Sequence, residues 1–239
     1  DGHEFIKEQL PGTDNLKINV IYTDQDGDVW VGSQKKGLFN YHNGYWYHHD
    51  VNSHPSTGKV PSILSITDSD NDIIWVGTNK GLFKLSKKTK HIHKHKHKIL
   101  QDMTINALKM SGSEQLIIGS VGHIIFYQLS SNTHTKYALK DKPKSTVHDM
   151  AVREKNVWLA TSSGLLIFST DKKVFLESPQ NIPKTRIVNI ITHGKTMWIA
   201  TLDKGLFVLD QNNQFNNFRA SDFESSLSDQ YIKTIYISN

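Results

Sequence analysis

No cysteine occurs anywhere in the 239 residues, which excludes disulfides and thiol chemistry without deciding the compartment. No apolar run approaches the length a helix needs to cross a bilayer, and neither an initiator methionine nor a signal peptide is present. Outside the alternating runs described next, no stretch keeps apolar residues at three- and four-residue spacing for three turns, so helix is excluded as the main element. A nucleophile elbow, a zinc-protease helix, a phosphate loop and a dinucleotide fingerprint are all missing. No cofactor is expected, and a catalytic reading has no motif behind it. Carboxylate pairs for glycoside hydrolysis cannot be judged at this level, because the fold sets their separation.

What the chain does have is repetition. VWVGSQKKGLF at Val29 to Phe39 returns as IWVGTNKGLF at Ile74 to Phe83, VWLATSSGLLIF at Val157 to Phe168 and MWIATLDKGLF at Met197 to Phe207, with a worn copy, LIIGSVGHIIF, at Leu116 to Phe126. Taking Trp30, Trp75, Ile117, Trp158 and Trp198 as equivalent gives steps of 45, 42, 41 and 40 residues, a period of four-stranded blades or another β array. An alternating strand precedes each tryptophan and ends in a polar turn such as Asp26-Gly27, Asn71-Asp72 or His193-Gly194. The tryptophan strand follows, and Gly37, Gly81, Gly164 or Gly205 then allows a sharp reversal at positive φ into a third strand. Small residues at Gly32, Gly77, Gly119, Ala160 and Ala200 let backbones approach closely.

Fourth, more polar strands are expected at Tyr45 to His49, Thr89 to His97, Thr133 to Leu139, Val174 to Leu176 and Gln214 to Phe218. The fold class is therefore all-β, a β-propeller of about five four-stranded blades near 17–49, 62–97, 103–139, 145–176 and 186–218. Since one such sheet cannot cover its own apolar faces, the copies stack and the tryptophans fill the space between them. Orphan strands are expected near 4–7 and 231–237. They would supply only the edges of a sixth blade, so the chain reads as an open piece of a larger propeller region.

The unit of alternating strand, Asp-x-x-Gly-x, Leu/Val-Trp-Ile/Val-Gly-Thr and Gly-Leu-aromatic resembles the two-component regulator propeller repeat of the extracytoplasmic sensor regions of bacterial hybrid histidine kinases. Ile21 to Phe39 carries the best match and Ile66 to Phe83 a good one with Asn71-Asp72 in the turn. The copies at Val157 and Met197 lack the Asp-x-x-Gly turn, and Leu116 to Phe126 has neither the Trp nor the Gly-Leu. The resemblance implies two propellers in series before a further β domain, a membrane helix and a kinase.

At this length the chain buries roughly 70 to 75% of its unfolded surface without staples. Its net charge of +5 belongs to one segment, because Lys84 to Lys98 holds seven lysines and no acid while the rest carries 21 basic against 23 acidic residues. That segment has no aromatic for stacking on bases, so no nucleic-acid partner is expected. On an extended strand His91, His93, His95 and His97 share the face opposite Lys94, Lys96 and Lys98. Three readings stay open: lysines blunting an exposed sheet edge, an edge that tracks acidic polymers in a salt-sensitive way, and histidines that capture zinc or copper adventitiously. Asp24, Asp26 and Asp28, like Asp68, Asp70 and Asp72, have the one-three-five spacing of a calcium loop, but the glycine and the twelfth-position glutamate are misplaced or absent. Turn chemistry explains both runs.

The resemblance implies a periplasmic module, the extracytoplasmic part of an inner-membrane protein, that binds a glycan or oligosaccharide and passes a conformational signal toward a kinase. This piece itself is expected to be non-enzymatic. Candidate ligand contacts fall on the turns between second and third strands: Gln34, Lys35, Asn79, Lys80, Ser162, Asp203 and Lys204. Tyr47, His48 and His54 add stacking or polar contacts from the outer strand and its loop. One alternative is an interaction scaffold that dimerises through exposed strand edges and holds no small ligand, and another is a polysaccharide lyase or hydrolase.

Overall fold

Each repeat folds as an antiparallel meander, because its alternating runs are cut by residues that accept the left-handed backbone. The computed structural model describes residues 10, 16–51, 60–70, 72–139, 142–179, 181–182, 184–212, 214–219 and 231–236. Blade 1 consists of β1 (Ile18–Thr23), β2 (Val29–Ser33), β3 (Leu38–His42) and β4 (Tyr45–His49), and blade 2 of β5 (Ile63–Ser69), β6 (Ile73–Thr78), β7 (Gly81–Ser86) and β8 (Ile92–Lys94). Blade 3 holds β9 (Ile105–Ser111), β10 (Gln115–Ser120), β11 (His123–Gln128) and β12 (Thr133–Ala138). Blade 4 has β13 (Val147–Arg153), β14 (Asn156–Thr161), β15 (Gly164–Ser169) and β16 (Val174–Leu176). Blade 5 has β17 (Ile187–His193), β18 (Thr196–Thr201), β19 (Leu206–Leu209) and β20 (Phe215–Phe218). The fold is an all-β propeller of five four-stranded blades, each with its strands paired in chain order. The chain divides into two compact units at residues 105 and 106.

Within the first unit one core joins blades 1 and 2, uniting Trp30, Leu38 and Val51 with Ile63, Ile66, Ile74, Val76, Phe83 and Leu85. In the second, Ile117, Ile124, Val147, Leu159 and Phe168 bind blade 3 to blade 4, and Trp158, Leu165, Ile187, Ile199 and Phe207 bind blade 4 to blade 5. Trp30, Trp75 and Trp158 are buried as expected of core residues, whereas Trp198 is half-buried. Gly32 and Gly119 show why a small residue follows the tryptophan position. A Cβ there would lie 2.5 Å from Ile63 Cγ2 and 2.6 Å from Val147 Cγ1, side chains of the next blade's first strand.

Two expected strands differ from what is found. The fourth strand of blade 2 covers only Ile92–Lys94 rather than Thr89 to His97. Residues 231–236 form no strand, and Ile235 instead donates its N–H to Asn189 Oδ1 at 3.2 Å. The expected strand at 4–7 lies outside the described residues.

Candidate functional site

The turns between second and third strands share one device. Ser33, Thr78, Thr161 and Thr201 each end a second strand buried and donate their hydroxyl to the carbonyl of Gly37, Gly81, Gly164 or Gly205, at 2.9, 2.8, 2.6 and 2.6 Å. All four glycines have positive φ, between 78 and 111°. The following residue ties the turn to the start of its own blade's first strand: Gln34 N–H to Lys17 O, Asn79 N–H to Ser62 O, Leu202 N–H to Arg186 O. Most of the candidate contact residues on these turns are engaged in the same work. Asn79 Oδ1 accepts from Ser62 N–H at 2.9 Å, Ser162 Oγ from Thr146 N–H at 2.9 Å, and Asp203 from the Thr185 hydroxyl. Lys204 Nζ lies 3.9 Å from Asp203, while Lys35 and Lys80 are exposed. Among the described residues no side chain of one turn bonds a side chain of another. Tyr47 is 43% exposed, His48 stacks on Phe39 at 4.7 Å and donates to Lys36 O, and His54 lies outside the described residues.

The lysine and histidine segment is strand only over Ile92–Lys94. With β8 ending at Lys94, the His95 ring turns inward edge-on to Trp75, 5.3 Å between centroids, where burial and then its charged neighbours push its pKa down to about 4. Lys94 pairs with Asp102 at 3.3 Å. His91, His93, Lys96 and Lys98 are exposed around this short strand.

The aspartate-rich turns hold a cation of another kind. Asp24, buried, accepts from the Asp26 and Asp28 amides at 3.0 Å each, from Trp30 Nε1 at 2.8 Å and from Lys87 Nζ at 2.8 Å. Burial opposes its ionisation, but the bonds from Lys87, Trp30 and the Asp28 amide outweigh burial and hold the carboxyl below its usual range. Lys87, from the turn between β7 and β8, also reaches Asp26 at 2.5 Å. Its ammonium is thus the counter-charge shared by Asp24 and Asp26, and Asp68 is likewise committed, accepting from Tyr22 OH at 2.5 Å and Gln25 N–H at 3.2 Å. Among the described residues no three His, Asp or Glu groups are placed to hold a metal ion.

A polar cluster that the sequence reading passed over lies on the first strands of blades 4 and 5. A bulge between Val147 and Asp149 leaves His148 as the extra residue of β13, and the same irregularity recurs between Ile187 and Asn189 in β17. Asp149 Oδ2 accepts from Asn189 Nδ2 at 2.6 Å and from Ile190 N–H at 3.0 Å, and Oδ1 accepts from Met150 N–H at 2.8 Å. Burial pushes its pKa up to about 6 against these bonds and the Lys109 charge. Next to it burial, with the Arg186 charge behind it, pushes His148 down to about 4, and its buried Nε2 has no hydrogen-bond partner among the described residues. Asn106, at the same position of β9, has a buried Oδ1 that likewise finds no partner among the described residues. Titratable groups shifted apart inside a polar cluster are a mark of functional sites. The signal available was the His-Asp pair in VHDM, where an alternating strand should carry apolar residues.

A family model described as two component regulator propeller matches residues 12–35. Among solved structures, the chain is similar to the extracellular domain of a putative hybrid two component system from B. thetaiotaomicron, at 23% identity and a TM-score of 0.74, covering 96% of this chain and 32% of that one. A second such extracellular domain from the same organism gives 17% identity and a TM-score of 0.65, covering 95% and 36%. A catalytically inactive virginiamycin B lyase from Staphylococcus aureus gives 13% identity and a TM-score of 0.71, covering 92% and 75%. At these identities the likeness is one of fold. The chain spans about a third of the length of the two extracellular domains. No curated protein matches the sequence.

Proposed function

We propose that this chain is part of the extracytoplasmic sensing region of a hybrid two-component signalling protein, on the periplasmic side of an inner membrane. It recognises a glycan or oligosaccharide and relays the binding toward a kinase. The observation that carries this reading is the regulator-propeller match at residues 12–35, on a chain whose fold follows a hybrid-system extracellular domain over 96% of its length. The candidate contact surface is the cluster of His148, Asp149 and Asn189, with Lys109 and Arg186 exposed beside it. Unpartnered donors and acceptors such as His148 Nε2 suit hydroxyl groups, and the two cations suit an acidic substituent.

The geometry favours binding over catalysis. Both oxygens of Asp149 are already taken by N–H donors, so its carboxylate is a poor general base for a substrate proton.

The test is a thermal-shift series on the chain, and on the larger region that contains it, with neutral and acidic oligosaccharides at low and high salt. A ligand that favours the native state raises the melting temperature. Silence from both samples would sink the sensing reading and leave the interaction scaffold in its place.

A further inference from the structure

Blade 3 carries a second feature, on its outer part. The antiparallel register sets Gln115, Gln128 and Thr133 opposite one another across β10, β11 and β12, and Ile117, Phe126 and Thr135 in the row beside them. Because side chains alternate along a strand, these residues and Tyr137 project from the same face. A cleft of about 210 Å³ opens over them, bounded by Lys173 from the turn between β15 and β16. That volume is below the roughly 300 Å³ at which drug-sized sites begin, which limits an occupant to about one ring.

The lining has a specific chemistry. Phe126 and Tyr137 meet edge to face with centroids 5.9 Å apart, and Phe168 backs them at 5.3 and 4.6 Å, so the apolar floor is braced. Gln115 Nε2 donates to Gln128 Oε1 at 3.3 Å, which leaves the Gln128 amide donors and the Gln115 carbonyl to bond a ligand. Thr135 adds a hydroxyl. Lys173 is exposed, its backbone fixed at φ 58° by an N–H bond to Ser169 O, and it is in no ion pair among the described residues. Among the described residues no carboxylate lines the cleft.

We propose that this cleft binds a single pyranose ring bearing a carboxylate, a hexuronic acid unit. The C–H face of such a ring lies on the aromatic floor, its hydroxyls bond the two amides and Thr135, and its carboxylate pairs with Lys173. An aromatic floor alone would take any flat apolar ligand and a lysine alone any anion; the row of amides between them asks for hydroxyls at a fixed distance from both. The site is separate from the inner-strand cluster and its occupancy needs no kinase, so failure here leaves the sensing reading standing.

The experiment is a titration of the whole chain with glucuronate, glucose and acetate, followed by amide NMR at low salt. Glucuronate should move the Gln115, Gln128 and Thr135 signals saturably, with a Kd on the order of 1 mM for so small a ligand. Glucose should bind about fivefold more weakly, the worth of one exposed ion pair, and acetate should leave the amide signals in place. Lys173→Ala, at an exposed turn, should erase the preference for glucuronate, and Gln128→Ala should weaken both sugars about fivefold. Shifts confined to other blades, acetate or glucose matching glucuronate, or a preference that survives Lys173→Ala would each overturn the assignment.

Discussion

Two buried carboxylates show how differently single residues carry charge in this fold. Asp24 is stabilised as an anion by Lys87, and breaking a buried pair strands the remaining charge. Lys87→Ala should therefore cost about 3 kcal/mol in urea unfolding, while Lys88→Ala, whose ammonium is exposed 3.2 Å from Asp72, should cost well under about 1 kcal/mol. Equal effects would show that the Lys87 ammonium is not the counter-charge. Asp149 is the opposite case, a carboxyl raised to about 6 by burial, for which removing the charge looks harmless. Yet both of its oxygens accept from N–H groups. Asp149→Asn must aim an NH2 at a donor, so it should lose about 1 to 3 kcal/mol despite being neutral; a stabilised variant would refute that bonding pattern. The role of Asp24 as a turn former was legible, since Asp-x-x-Gly reads as a turn. Its counter-charge was not, because Lys87 lies 63 positions away.

At the scale of the element, the turn glycines and the tightly packed ones respond to different physics, and alanine separates them. Gly27 has φ 85° and open space around its missing Cβ, so Gly27→Ala should cost only the backbone strain of about 1 kcal/mol. Gly77 has ordinary backbone angles, but a Cβ would sit 2.2 Å from Ser65 Oγ and 2.6 Å from Ile105 Cγ2. Gly77→Ala should cost about 1 to 3 kcal/mol as overpacking. Gly205 combines φ 78° with the Phe218 carbonyl at 2.2 Å and should be the worst of the three. Urea midpoints rank them, and a Gly27 variant as damaged as Gly205→Ala would contradict this division. The positive φ of these turns was readable from the Gly-Leu-aromatic pattern. The length of β8 was not, because HIHKHKHK alternates perfectly, whereas in the fold the chain turns away after His95, its His97 N–H bonding back to His95 O at 3.1 Å.

For the whole molecule, pH sums such local choices. His49, His95 and His148 are each pushed down to about 4, chiefly by burial, against about 6.5 when unfolded. Between those values the unfolded chain binds more protons, so their contribution is complete above pH 6.5 and is lost as pH falls toward 4. Asp149 works in the other direction, gaining stability as pH falls from 6 toward its unfolded value. Discounting the two partly exposed histidines, three groups against one should leave the protein about 3 kcal/mol less stable at pH 4.5 than at pH 7, measured by urea melts; a flat or rising profile would contradict the burial of these rings. The five-blade plan was legible from a period near 42, whereas the inner cluster depends on bulges that pair residues 40 positions apart. Blade 3 lacks the Thr-to-Gly lock of its neighbours, and its turn is instead stitched onward, by a bridge between Val121 and Thr146 and by Gly122 N–H to Ser145 O at 2.7 Å. A lineage that grows by duplicating blades can copy the turns of the others as they stand, since each closes within its own blade, but the turn of blade 3 is closed against blade 4, so at this point the heritable module is a pair.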